Sequence, residues 1–241
     1  MTKMDRYAVV NDSTVVSDAD VATMWLAIKN QLFYHVCPTW EKPFMDSVFV
    51  AKGGTVPADC YPIYILDNAD VAGALGYHTE DPNGSIYGRV FAETVLSNSG
   101  SVLTGALSVS ACLSHEAIEF FCDKHCNLWA VKDNTHLVAY EACDPVENDS
   151  YNVHSGTELV GVSNFVLDAW FDAQAPAGTQ FDFMKKVTAP LTMTPGGYLV
   201  LMDTTTGQTS QVFGSKEAEV LHNLIKPAHP AARSAKRLGR H

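Results

Sequence analysis

Ser114-His115-Glu116-Ala117-Ile118-Glu119 is the stretch on which the reading of this chain turns. Its apolar neighbours recur at helical spacing, and residues 107–124 read as one long helix with Leu113, Ala117, Phe120 and Phe121 on its buried face. Residues four apart on a helix point the same way, so His115 and Glu119 share a stripe, continued by Cys122 and Cys126. Two metal ligands at that spacing, with an acid beside the first, form a site with two ligands, a general base and an open coordination position. Here the second ligand is a carboxylate where an imidazole is usual. Carboxylate oxygen ligates zinc, but the added negative charge lowers the Lewis acidity of the ion and blunts hydrolysis. The plain alternative is an exposed helix face with ordinary surface acids.

A third ligand is expected downstream, where Glu141-Ala142-Cys143-Asp144-Pro145-Val146-Glu147 offers three carboxylates. The helix with its altered HExxE motif, a loop and then this acidic run resembles the gluzincin branch of the zincin metallopeptidases. The resemblance is in topology over residues 5–150 and in motif over residues 114–147. It implies His115, Glu119 and Glu141 as zinc ligands, Glu116 as general base, and Asp144 as the group that orients His115. In that family the strand before the active helix borders the substrate cleft, a role that falls here to residues 86–95.

The fold class expected is α+β, a zincin-like mixed sheet with a long first helix and a metal-site helix, followed by a β-rich C-terminal portion. Residues 7–10 read as a strand. Ser17-Asp18-Ala19-Asp20 then caps a helix to about residue 36, with Val21, Met24, Trp25, Ile28 and Leu32 on one face. Strands follow at 47–51, 61–66 and 86–95, the last after the turn Asp81-Pro82-Asn83-Gly84. Beyond the metal-site helix, strands are expected at 159–170, 198–202 and 209–213, and a short helix at 216–224. Three parts result: a zincin-like domain over 1–150, a β-rich portion over 151–225 packed on it, and a basic tail over 226–241.

Charge separates that tail from the rest. Net charge is −11, yet the tail holds Lys226, Arg233, Lys236, Arg237 and Arg240 and no acid. The remainder carries 11 basic and 27 acidic residues, which argues against nucleic-acid binding by the body. The tail suits an acidic partner or nucleic acid, or is simply a solvated terminus. No apolar run approaches the ~20 residues of a membrane span, and no signal-peptide core follows the N-terminus.

The six cysteines are too sparse for a disulfide scaffold. Cys122 and Cys126 form a second metal or redox candidate with His125 or His115, against the plainer reading of buried thiols. His35, His78, His136, His154 and His222 read as surface or internally satisfied histidines. No nucleophile elbow, phosphate loop or dinucleotide fingerprint is present. The stretch from His115 through Trp129 to the acidic run, then Tyr151, Val162-Ser163-Asn164-Phe165-Val166 and Trp170-Phe171, also resembles uncharacterised proteins of tailed-phage virions. That similarity implies a metallopeptidase-like virion component with weak hydrolytic activity, other virion proteins as partners, and passage from host cytoplasm to particle. An active zinc-dependent peptidase with Glu116 as base is the alternative.

Overall fold

Strand β1 (Arg6–Asn11) is buried at nearly every position, the pattern of a strand covered on both faces. A computed structural model describes residues 6–70 and 74–225 of the chain, with side chains up to His222. The expected basic tail therefore lies outside the described residues. The protein is α+β, as expected.

Parallel neighbours of β1 require a crossover, and helix α1 (Asp18–Gln31) supplies it. Ser17 caps α1, its hydroxyl accepting the N–H of Asp20 at 3.1 Å. Val21, Met24, Ala27 and Ile28 face the core. The chain then widens into a π-turn over Leu32–Val36 and tightens again as α2 (Cys37–Trp40). Pro38 has no N–H to give to an α-helical bond, and the wider turn accommodates that loss. β2 (Ser47–Val50) and β3 (Cys60–Leu66) pair in parallel with β1 on either side.

Next come β4 (Gly76–Glu80) and β5 (Ile86–Phe91), an antiparallel hairpin. Asp81 closes its turn by accepting the N–H groups of Asn83 at 2.8 Å and Ser85 at 2.9 Å. The sheet order is β2-β1-β3-β5-β4, all parallel except the edge strand β4. Two expectations change here. β4 is a strand that the sequence pattern does not announce, because its inward positions are Gly76 and His78 rather than aliphatic residues. The strand expected over 86–95 ends at Phe91, and Ala92–Ser97 forms helix α3, burying Ala92 and Val95 at helical spacing.

Helix α4 (Val109–Asp123) is capped by Ser108, whose hydroxyl accepts the N–H of Ala111 at 3.1 Å. Apart from Cys112, every residue of α4 is buried. The exposed helix face with surface acids is thereby excluded. α4 packs on β3, β4 and β5 of the sheet and on β9 (Glu158–Ser163), whose hairpin partner β8 (Ser150–Ser155) packs on α1. A buried polar chain ties these layers together. Ser114 donates to Gln31 Oε1 at 2.7 Å, Ser163 N–H donates to Ser114 at 3.0 Å, and Gln31 donates to the Ser163 carbonyl at 2.8 Å.

Between α4 and β8 run β6 (Trp129–Val131) and β7 (His136–Ala139). They join β10 (Tyr198–Asp203) and β11 (Thr209–Phe213) in an antiparallel sheet of order β11-β10-β7-β6. Strands from both sides of residue 150 thus share one sheet. The strand expected over 159–170 stops at Ser163, and a short 3-10 turn over Asp168–Phe171 buries Trp170. Helix α5 (Lys216–Ile225) closes the described chain. No helix among the described residues is long and apolar enough to cross a membrane.

Candidate metal centre

Three elements converge on one buried cluster. Helix α4 brings His115, Glu116 and Glu119, the edge strand brings His78, and the turn after β7 brings Glu141, Cys143 and Asp144. None of the seven is more than 6% exposed. Burying this many ionisable groups is costly unless each finds a counter-charge, a proton or a metal.

The turn carrying Glu141 to Asp144 is held from several directions. Ala142 carbonyl accepts the N–H of Val166 at 2.7 Å, and Pro145 carbonyl accepts that of Thr194 at 2.9 Å. Gly197 lies where a Cβ would collide with the Pro145 carbonyl, so only glycine lets the chain before β10 pass so close. Cys143 N–H reaches back to donate to Glu119 Oε1 at 3.3 Å.

His115 Nε2 stands 3.2 Å from Glu119 Oε1 and 3.2 Å from Asp144 Oδ1. Asp144 therefore faces the same nitrogen as Glu119, where a ligand would stand, rather than the far side of the ring. His78 Nδ1 stands 3.3 Å from Glu116 Oε2 and 3.7 Å from Glu119 Oε2. Its other nitrogen, Nε2, lies 3.2 Å from the Asp123 carbonyl, which can only accept. Gly76, two residues before His78, leaves the space in which Glu116 sits, since a Cβ there would be 2.9 Å from Glu116 Oε1.

The electrostatics follow from burial and crowding. Burial, with Asp144 and Glu141 nearby, pushes the Glu119 carboxyl up to about 7 against the pull of His115. Burial alone would lower both histidines, but their neighbours win. His115 is held well above its ordinary value by Glu119, Asp144 and Glu116, and His78 by Cys126, Glu116 and Glu141. Burial, reinforced by Glu119, pushes the Cys143 thiol well up.

Two groups of donors have the compactness of a metal site: His115, Glu119 and Cys143, and His78, Glu119 and Glu141, each with its ligand atoms within 4.8 Å of one another. These buried groups can hold a metal ion. All five residues singled out in the sequence, His115, Glu116, Glu119, Glu141 and Asp144, lie in this one cluster. His78 and Cys143 were missed as donors. A Gly-x-His step leading into a Thr-Glu-Asp-Pro-Asn-Gly turn is the signal in the sequence that points to His78, since it places a small residue and a polar one on the same strand face. Of the two readings of His78, surface or internally satisfied, the second holds: it is fully buried with both ring nitrogens in hydrogen-bond reach of a partner.

The Cys122–Cys126 alternative does not assemble. α4 ends at Asp123, Cys126 adopts a positive φ of 49° with its thiol donating to the His78 carbonyl at 3.5 Å, and neither thiol belongs to a three-donor group among the described residues. All six cysteines are free.

A small cleft of about 80 Å³ opens beside the cluster. Leu75 and Gly76 of the edge strand region, His115 and Glu116 of α4, the Glu147–Asp149 turn and Ala218, Leu221 and His222 of α5 line it. Gly76 of β4 borders this cleft, and no residue of 86–95 does. His222 rests between the rings of Tyr198 and Phe213, at 4.7 and 4.9 Å. No protein family, no curated protein and no solved structure matches this chain.

Proposed function

We propose that this protein is a metallopeptidase-like, zincin-type protein whose buried centre binds a divalent ion, with zinc the first candidate. His115 and Glu119 are its proposed ligands, with Cys143 and Asp144 beside them, while Glu141, the third ligand expected, groups with His78 and Glu119. One observation carries the reading: His115 Nε2 and Glu119 Oε1, one helical turn apart, meet at 3.2 Å inside a buried set of further donors. The mixed sheet, with α4 lying behind its antiparallel edge strand, supports the zincin-like part of the reading.

A bound ion would supply Lewis acidity. Glu116, on the wall of the cleft, would accept the proton of a water held there. Two features argue that this chemistry is weak. The ligand set is rich in carboxylates, which reduce the ion's polarising power. The cleft also has room for only a few waters, closed on one side by α5. That closure favours the second reading, in which the metal centre serves stability rather than catalysis; a tailed-phage particle is the setting that the sequence resemblance implies. Fold does not decide between the two.

Metal analysis of the purified chain tests the binding claim. Wild type should carry stoichiometric divalent metal and Glu119→Ala should lose it; wild type without bound metal would sink the proposal. Glu116→Gln then tests catalysis: any peptide hydrolysis should disappear while the protein still holds metal.

A further inference from the structure

The two donor groups share one residue. Glu119 belongs both to the set with His115 and Cys143 and to the set with His78 and Glu141. Its two carboxylate oxygens are divided between them, Oε1 toward His115 Nε2 at 3.2 Å and Oε2 toward His78 Nδ1 at 3.7 Å. A carboxylate whose oxygens face different imidazole nitrogens has the arrangement of a bridge between two ions. Two-metal sites hold their ions roughly 3.5–4 Å apart.

We infer that this cluster is a dinuclear divalent-metal centre bridged by Glu119, with His115, Cys143 and Asp144 around one ion and His78 and Glu141 around the other. The inference rests on the metal reading of His115 and Glu119 made above and adds a second position to it.

Two further observations support that second position. The first is the tautomer of His78. Its Nε2 faces the Asp123 carbonyl at 3.2 Å, which fixes a proton on Nε2, so the nitrogen that would give up its proton to a metal is Nδ1, the one facing Glu119 and Glu116. A hydrogen bond from one ring nitrogen to a carbonyl is how proteins orient the other for a metal. The second is charge. Glu116, Glu119, Glu141 and Asp144 are four carboxylates, none more than 3% exposed. Two divalent cations would balance all four with both histidines neutral, whereas one ion would balance only half. Imidazole with several carboxylates suits Mn2+, Fe2+ or Zn2+.

The test is a titration of the metal-stripped full chain with Mn2+, read by elemental analysis after desalting and by electron paramagnetic resonance. Wild type should retain two Mn2+ per chain, and the hyperfine pattern of isolated Mn2+ should collapse through exchange coupling as the second ion binds. His78→Gln and Glu141→Gln should each retain one Mn2+ with an isolated-ion spectrum, halving the metal content. The spectrum of wild type carries the test if either variant fails to fold. One uncoupled Mn2+ per wild-type chain would overturn the second position and leave the metal reading above intact. A chain that retains neither Mn2+ nor, in a parallel titration, Zn2+ would overturn both.

Discussion

Helices α1 and α4 are alike in length, and each starts at a serine cap, yet they are built on opposite principles. α1 buries one face and leaves Asp18, Thr23 and Leu26 toward solvent. α4 is buried all round and carries His115, Glu116, Glu119 and Asp123 into the interior. On α1 a polar residue is hydrated at little cost. On α4 each must be matched by another part of the chain, and the matching groups come from β4 and from the turn after β7. Charge placed on a fully enclosed helix is thus a signature of function, whereas the same residues on α1 would only signal a surface.

The sharpest way to break this contrast is truncation. Ile118→Ala on α4 should cost about 2–5 kcal/mol in chemical denaturation, and Leu26→Ala on α1, already 38% exposed, less than about 1 kcal/mol. Equal losses would mean that α4 is not enclosed. Next in size is Gly76→Ala on the strand facing α4. The added methyl would meet Glu116 Oε1 at 2.9 Å and the Arg89 carbonyl at 3.0 Å, so stability should fall by about 1–3 kcal/mol and metal retention with it. Unchanged metal content and melting temperature would remove Glu116 from its observed position.

The metal-free protein should also respond to pH through α4 and its partners. Glu119, raised from 4.5 to about 7 in the folded chain, binds more protons folded than unfolded between those values, so its contribution falls as pH rises across them. His115 and His78, held above 6.5, contribute stability below that pH and lose it as pH climbs through their folded values. All three slopes have the same sign. In the presence of a chelator the melting temperature should decline from pH 5 toward pH 8, and added divalent metal should offset the decline, since binding needs deprotonated ligands. A chelated protein that gains stability over this range would contradict the buried cluster. The smallest effects belong to the caps. Ser108→Ala and Ser17→Ala should each cost about 1 kcal/mol, with Ser108 the larger because it is fully buried whereas Ser17 is exposed.

Much of the frame was legible in the sequence. The first strand, the Ser17 cap, the two long helices and the β10–β11 hairpin fall within a few residues of their expected places. So do the donors of α4 and the acidic run. Local rules suffice there, because a cap, an apolar stripe or a turn is written in adjacent residues. Where the signal was not local, the reading failed. The apolar residues Val90, Phe91 and Val95 look like one continuous strand, but burial of Ala92 and Val95 turns the second half into a helix. β4 lacks an aliphatic pattern because its inward side is occupied by Gly76 and His78, which make room for and contact α4.

What the sequence determined by itself was a helix presenting His115, Glu116 and Glu119, followed by a downstream supply of acids. Periodicity and composition carry that much. Only the tertiary structure decided that the helix is covered on every side, that His78 and Cys143 join the set, and that the two oxygens of Glu119 face different histidines. Those outcomes depend on a strand some forty residues earlier and a hairpin some forty residues later closing over α4. No pattern within one helix records which distant surfaces will enclose it, because burial is a property of the assembled layers rather than of any single segment.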